Sequence, residues 1–324
     1  MRIMNWGFFR SAETATALEN GGLSGSGAPP VSHLPPKPKI ALALGGGAAR
    51  GWAHIGALRA LDEENIQIGM IAGTSIGALV GGCYLAGKLD ELEAFARSLT
   101  VRRMAALLDI TIGGGGLFAG MRLTKRMQEH LEGIDVENLD RKFVAVATEL
   151  RTGHEVWIES GSLITALRAS YALPGIFEPI HSNNRILVDG ALVNPVPVSV
   201  CRSYEQPLVV AINLHYDLYG RSAVVKHAAI RQPLEKQFER NGDREHHTNI
   251  GVTGVMVEAF NIIQDRISRA RLAGDPPDLA LQPRLSDIGL SEFHRASELI
   301  DRGYLEAKAR IGDIKRMQEA IRAF

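Results

Sequence analysis

The chain lacks most of the features that assign a sequence at a glance. Its 324 residues include two cysteines, Cys83 and Cys201. They stand far apart, without Cys-x-x-Cys spacing, which excludes a disulfide framework or a cysteine-rich zinc site. A reducing, cytoplasmic setting is the simplest expectation, with peripheral contact at the inner membrane face left open. An excess of one charge is also missing, because 36 basic side chains meet 36 acidic ones. That balance offers a polyanion no long-range attraction, so nucleic acid is not an expected partner. No signal peptide is expected either. The opening apolar stretch is broken by Asn5 and Gly7 and stopped by Arg10, too short and interrupted for a signal peptide.

The longest charge-free run, Ile66 to Gly87, is punctuated by Gly69, Gly73, Gly77, Gly81, Gly82 and Gly87. Glycines at that density argue against a transmembrane helix and for a buried strand that turns sharply into a buried helix. Residues 11 to 37 are rich in Gly, Ser, Ala and Pro, a composition that cannot bury a core. We therefore divide the chain into a flexible N-terminal tail, residues 1–38, and one folded domain, residues 39–324.

Within that domain, short apolar runs alternate with helical patterns. Ile40 to Leu44, Ile68 to Ala72, Phe143 to Thr148, Glu155 to Glu159, Arg185 to Val188, Leu208 to Ile212 and Leu279 to Leu281 read as strands. Ala48 to Glu64 and Ser75 to Ala86 read as helices, and Met256, Phe260, Ile263 and Ile267 mark one face of a longer one. The alternation predicts an α/β domain with a mostly parallel sheet and helices on both faces. Two stretches interrupt it. Residues 101 to 120 carry Gly113 to Gly116 among apolar neighbours, and residues 216 to 250 are polar, with His227, His246 and His247. Both read as surface loops, and the first has the composition to flank an acyl-chain entrance.

Two glycine-rich turns carry the chemistry. Gly73-x-Ser75-x-Gly77 lies between strand and helix, the context in which a sharp turn holds a serine hydroxyl clear of the backbone. Such a serine is a nucleophile; the plainer alternative is a helix cap. Gly45-Gly46-Gly47-Ala48-Ala49-Arg50-Gly51 fails as a dinucleotide fingerprint, since Arg50 stands where the third glycine belongs, and no Walker lysine follows. Its free N–H groups could instead hold an oxyanion. Arg50 could position the loop, pair with a lipid phosphate, or form a structural ion pair. A serine needs a base, and Asp189-Gly190-Ala191 follows the strand ending at Val188. Two arrangements compete: a Ser75–Asp189–His215 triad, or a dyad in which Asp189 alone takes the proton. Spacing does not choose between them. His246-His247 has no evident companions for a metal, and no cofactor is expected.

Taken together and in order, four blocks resemble the patatin-like phospholipase family. They are Leu44 to Gly56, Gly73 to Gly77, Ala169 to Phe177, and Asp189-Gly190-Ala191, spread over a similarity that runs from about Ile40 to Ala323. Ala273 to Asp278 and Phe293 to Ala296 look closer to the bacterial RssA-like, neuropathy-target-esterase-type branch. The resemblance implies a three-layer α/β/α fold and a serine acyl hydrolase acting on phospholipid or lysophospholipid esters. It implies Ser75 as nucleophile, Asp189 as sole base, and backbone N–H groups of Gly46, Gly47 and Ala48 as the oxyanion hole. Gly45, Arg50, Gly51, Gly73, Gly77 and Gly190 would support them. It also demotes the histidines: His54 packs beside the glycine loop, and His215 becomes a loop residue. Many family members carry a fourth glycine at position 48, so Ala48 is a departure, as is Ala191 after Asp189-Gly190. A catalytically idle lipid-binding protein of the same fold is the rival outside enzymes.

Overall fold

The computed structural model describes residues 36–100, 130–217 and 252–323. The glycine run at 113 to 116, His227, His246, His247 and nearly all of the proposed tail lie outside them. At the boundary of that tail, the Lys37 ammonium pairs with Glu319 and the Pro38 carbonyl accepts from the Gln318 amide. Among the described residues, tertiary contacts are therefore already present at Lys37 and Pro38.

Eight strands form one sheet. They are β1 (Ile40–Leu44), β2 (Ile68–Thr74), β3 (Lys142–Glu149), β4 (Glu155–Ile158), β5 (Ile180–Ser182), β6 (Arg185–Asp189), β7 (Val209–Ile212) and β8 (Leu279–Leu281). The order is β5-β6-β3-β2-β1-β7-β8, with β4 on β3. The β3-β2-β1-β7-β8 block is parallel, whereas β4 and β6 run antiparallel to β3, and β5 antiparallel to β6. The mostly parallel sheet read from the sequence is present.

The helices are α1 (Ala53–Glu63), α2 (Ile76–Leu85), α3 (Leu89–Arg97), α4 (Leu163–Ser170), α5 (Val198–Ser203), α6 (Val252–Gly274) and α7 (Ala296–Arg322). Side chains alternate across the parallel strands, and both faces are buried. Ile40, Leu42, Leu44, Ile71 and Phe143 join a large core with α1, α2, α3, α4 and α7. Ala41, Ala43, Met70, Ala72, Val144 and Val146 pack on Val198, Val200 and Cys201 of α5. A strand buried on both faces has no polar alternation, which is why these runs are nearly continuous in apolar residues. The charge-free run from Ile66 is β2 and α2, and no described helix is long and apolar enough to cross a membrane.

Helices α1 and α7 cross with almost no space between their backbones. A Cβ on Gly56 would sit 1.8 Å from the Ile300 carbonyl oxygen, and one on Gly303 would sit 1.9 Å from that of Ala53. Helix α6 departs from the usual rule that an apolar stripe faces the core. Met256 and Ile263 are exposed and Phe260 and Ile267 only half-buried, while Asn261, Gln264, Asp265 and Ser268 are buried.

Candidate active site

Ser75 and Asp189 are 114 positions apart in sequence and are brought together by one strand. On β3, Val146 pairs with Thr74 at the end of β2, and the next residue, Ala147, pairs with Asp189 at the end of β6. Ala147 and Thr148 also pair with Val156 and Glu155 of β4. Since a strand has two edges, β4 holds one and β2 and β6 share the other. Running parallel and antiparallel to β3, β2 and β6 meet end to end. Their last residues deliver the serine and the aspartate to adjacent rungs of the same strand.

The turn at Ser75 is strained, with φ 56 and ψ −124. A positive φ costs a residue with a Cβ roughly 1–2 kcal/mol, and such positions persist where the surroundings over-determine them. The Ser75 N–H donates to Ser170 Oγ at 2.9 Å, and Ser170 Oγ donates onward to the Val146 carbonyl at 2.6 Å. One residue beyond the serine's neighbour, Gly77 presses against β1: a Cβ there would lie 2.2 Å from the Leu44 carbonyl oxygen. The turn therefore lies flush against the glycine loop, and Ser75 remains partly open to solvent.

The Ser75 hydroxyl donates to Asp189 Oδ2 at 2.7 Å. The other carboxylate oxygen, Oδ1, accepts the Ala191 N–H at 2.8 Å. Asp189 is 1% exposed. Burial lifts its pKa from the ordinary 3.8 to about 7, against the opposing pull of the Ala191 and Ser75 hydrogen bonds. A carboxylate balanced near neutrality is a base of useful strength at physiological pH.

The glycine loop divides its amides. The Gly45 N–H donates to the Ile212 carbonyl and the Gly46 N–H to that of Pro195 at 2.9 Å. Gly46 is therefore corrected from free donor to backbone anchor. The N–H groups of Gly47 and Ala48 have no acceptor among the described residues, and Ala48 is partly open to solvent. Ala48 adopts φ 47, so alanine sits in the left-handed region that favours glycine. His54 is buried and its Nε2 donates to the Gly45 carbonyl at 2.8 Å; burial lowers its pKa to about 4, keeping it neutral. Arg50 is 3% exposed and its Nε donates to the Ile288 carbonyl at 2.8 Å. It ties the loop to the chain ahead of α7, the positioning role read from the sequence.

No imidazole lies between Ser75 and Asp189. His215 is 1% exposed, and its ring nitrogens have no hydrogen-bond partner among the described residues. Burial, reinforced by the Arg50 charge, lowers its pKa to about 4. A triad requires an imidazole nitrogen on the serine hydroxyl, and that hydroxyl is already given to Asp189.

With this geometry in view, comparison with known proteins is informative. A patatin-like phospholipase model matches residues 42–202, a span that contains the glycine loop, Ser75 and Asp189. An NTE family protein of Mycobacterium tuberculosis is 32% identical over 318 aligned residues, 81% of this chain and 88% of its own length. The chain belongs to the patatin-like phospholipase family. A patatin-like phospholipase domain-containing protein of Caenorhabditis elegans is 34% identical over 54% of this chain and 13% of its own length. The crystal structure of VipD from Legionella pneumophila covers 88% of this chain and 67% of its own at 12% identity, with a TM-score of 0.45.

Several residues that shape this patatin-like site went unread in the sequence. Ser170 lies in the Ala169-to-Phe177 block, which was quoted without a role for its serine. Thr148 Oγ1 bonds the Asp189 carbonyl at 2.9 Å and Thr74 Oγ1 the Asn194 carbonyl at 2.8 Å, holding both strand ends. A buried threonine at the end of an apolar strand is the only local signal for either. Gln264 and its neighbours on α6 gave none, because polar residues on a long helix read as its solvent face.

Proposed function

We propose that the protein is a serine acyl hydrolase that cleaves carboxylic esters of phospholipids or lysophospholipids through a Ser75–Asp189 dyad. The observation that carries this reading is the 2.7 Å hydrogen bond from Ser75 Oγ to a buried carboxylate, with no histidine between them. Asp189 accepts the hydroxyl proton as Ser75 Oγ attacks the ester carbonyl carbon. The Gly47 and Ala48 amides stabilise the negative charge on the carbonyl oxygen, a contribution of roughly 3–4 kcal/mol for one such donor. Collapse of the tetrahedral intermediate expels the alcohol, which takes the proton back from Asp189 and leaves an acyl-serine. Water, deprotonated by Asp189, attacks the acyl-serine; as the second tetrahedral intermediate collapses, Ser75 Oγ takes that proton back from Asp189 and the fatty acid is released. No proton is gained or lost over the cycle beyond that of the product acid.

The test is turnover of a p-nitrophenyl acyl ester together with labelling by a fluorophosphonate. The wild-type protein should do both, and Ser75→Ala neither. A folded protein whose Ser75 takes no label would instead favour the idle, lipid-binding alternative, and turnover by Ser75→Ala would remove the proposal.

A further inference from the structure

The buried face of α6 is polar: Asn261 and Asp265 are paired there, while Gln264 Oε1 and Ser268 Oγ have no partner among the described residues. Asp265 holds Arg269, and Asn261 reaches Glu258. Gln264 differs. It is 5% exposed, and its side-chain carbonyl oxygen is buried with no partner among the described residues. That oxygen lies 3.5 Å from the point a Cβ on Gly46 would occupy. Ser75 Cβ lies 3.5 Å and Ala191 Cβ 3.4 Å from the same point. Gly46 therefore leaves a small space enclosed by the nucleophile's stem, the residue that binds Asp189, and an unpaired carbonyl acceptor. Burying an acceptor with no donor is unfavourable, so the fold gains nothing from this oxygen as it stands. Locally unfavourable polar groups of this kind collect where a ligand completes them.

We propose that Gln264 is a specificity-determining residue, its side-chain carbonyl accepting a hydrogen bond from a donor that the substrate carries beside the scissile ester. This rests on the hydrolase reading of Ser75 and deepens it. A hydroxyl donates to a buried carbonyl without bringing a charge out of water, so the chemistry that fits is an ester of a polyol whose neighbouring hydroxyl is free. A capped hydroxyl leaves the Gln264 oxygen unpaired and adds bulk where Gly46 has made room. Sites built to hydrogen-bond a substrate hydroxyl reject analogues without one far more strongly than apolar pockets reject a missing methylene.

The experiment compares a monoacyl glycerol with its di-O-methyl ether of the same acyl chain, using the full chain and the Gln264→Met and Gln264→Leu variants. The wild-type protein should favour the free-hydroxyl ester by about tenfold or more in kcat/KM. Both variants should lose that preference, falling about tenfold on the hydroxyl ester and changing little on the ether. Equal losses on both substrates would mean a structural role and overturn the proposal. A wild-type protein that cleaves both esters equally well, or a variant that keeps the preference, would overturn it too and leave the hydrolase reading intact. Failure of the wild-type protein to cleave either ester or take a fluorophosphonate label would remove the hydrolase reading and, with it, the role of Gln264.

Discussion

Replacing Asp189 by asparagine separates what the carboxyl does for the chemistry from what it costs the fold. Asparagine has the same shape, keeps an oxygen for the Ala191 N–H, and cannot take a proton from Ser75. The wild-type carboxyl, buried at 1% exposure, has its pKa raised from 3.8 to about 7. Between those values the folded protein holds a proton that the unfolded chain has released. Stability therefore falls as pH rises through that window. It is fully present below 3.8, and by about pH 8 the charged form has withdrawn about 4 kcal/mol at most. Relaxation around a buried charge makes roughly half that a realistic figure.

Asp189→Asn has no such group, so subtracting its denaturation curve from that of the wild-type protein cancels every other titration. The variant should match the wild-type protein near pH 4 and exceed it by about 2–4 kcal/mol near pH 9. In parallel, its kcat/KM on a p-nitrophenyl ester should fall by about a hundredfold to ten-thousandfold, the usual worth of a general base. The wild-type kcat/KM should itself rise with pH through an inflection near 7, the point at which Asp189 becomes a base. Urea denaturation at several pH values and the initial-rate profile supply both quantities. A stability difference independent of pH, or one that favours the wild-type protein at pH 9, would refute the reasoning about burial. Retained activity would refute the assignment of the base.

Other substitutions test the neighbouring parts of the site. Ser75→Gly removes the Cβ from a residue held at φ 56 and should stabilise the fold by about 1 kcal/mol in thermal unfolding while abolishing turnover. A loss of stability would show that the turn is not strained. Gly77→Ala places a methyl 2.2 Å from the Leu44 carbonyl oxygen, so it should fail to give soluble folded protein or lose more than about 3 kcal/mol. Wild-type denaturation behaviour would show that the loop and elbow do not pack as described. His215→Ala should keep kcat/KM within about fivefold, because a true base would cost at least about a hundredfold. A loss of that larger size, with circular dichroism unchanged, would return His215 to the mechanism.

Much of this was legible because it is local. Unbroken apolar runs such as Ile40 to Leu44 showed strands buried on both faces, and the glycines around Ser75 marked a turn that only small residues permit. The pairing of strands was not legible. Nothing between Arg185 and Asp189 states that β6 runs antiparallel to β3, yet that direction is what points Asp189 at Ser75. Nor could spacing decide between Asp189 and His215. The short strand Ile180–Ser182 and the 27-residue helix α7 also went unread. Ile180–Ser182 has one apolar residue in three, unlike Leu279–Leu281, and α7 is rich in charged residues that dilute its apolar stripe.

The places where local rules misled are concentrated around one point. Ser75 and Ala48 both hold positive φ without being glycine, Asp189 is a carboxyl sealed from water, and α6 turns a polar face inward. Each is unfavourable taken alone; Ser75 and Gln264 border the space beside Gly46, Ala48 lies in the loop that forms it, and Asp189 is hydrogen-bonded to Ser75. A fold selected only for stability would place glycine at 48 and 75, asparagine at 189 and an apolar side chain at 264. On the proposed hydrolase reading, the four residues in place serve a reacting ester: a hydroxyl partly open to solvent, a backbone amide and a side-chain carbonyl without partners among the described residues, and a carboxyl tuned to neutrality. If that account is right, the four stabilising replacements should each lower or abolish turnover except Ala48→Gly, which keeps the amide and should leave kcat/KM within about twofold. A large loss in Ala48→Gly would mean that the methyl group itself, and not only the backbone it distorts, shapes the oxyanion site.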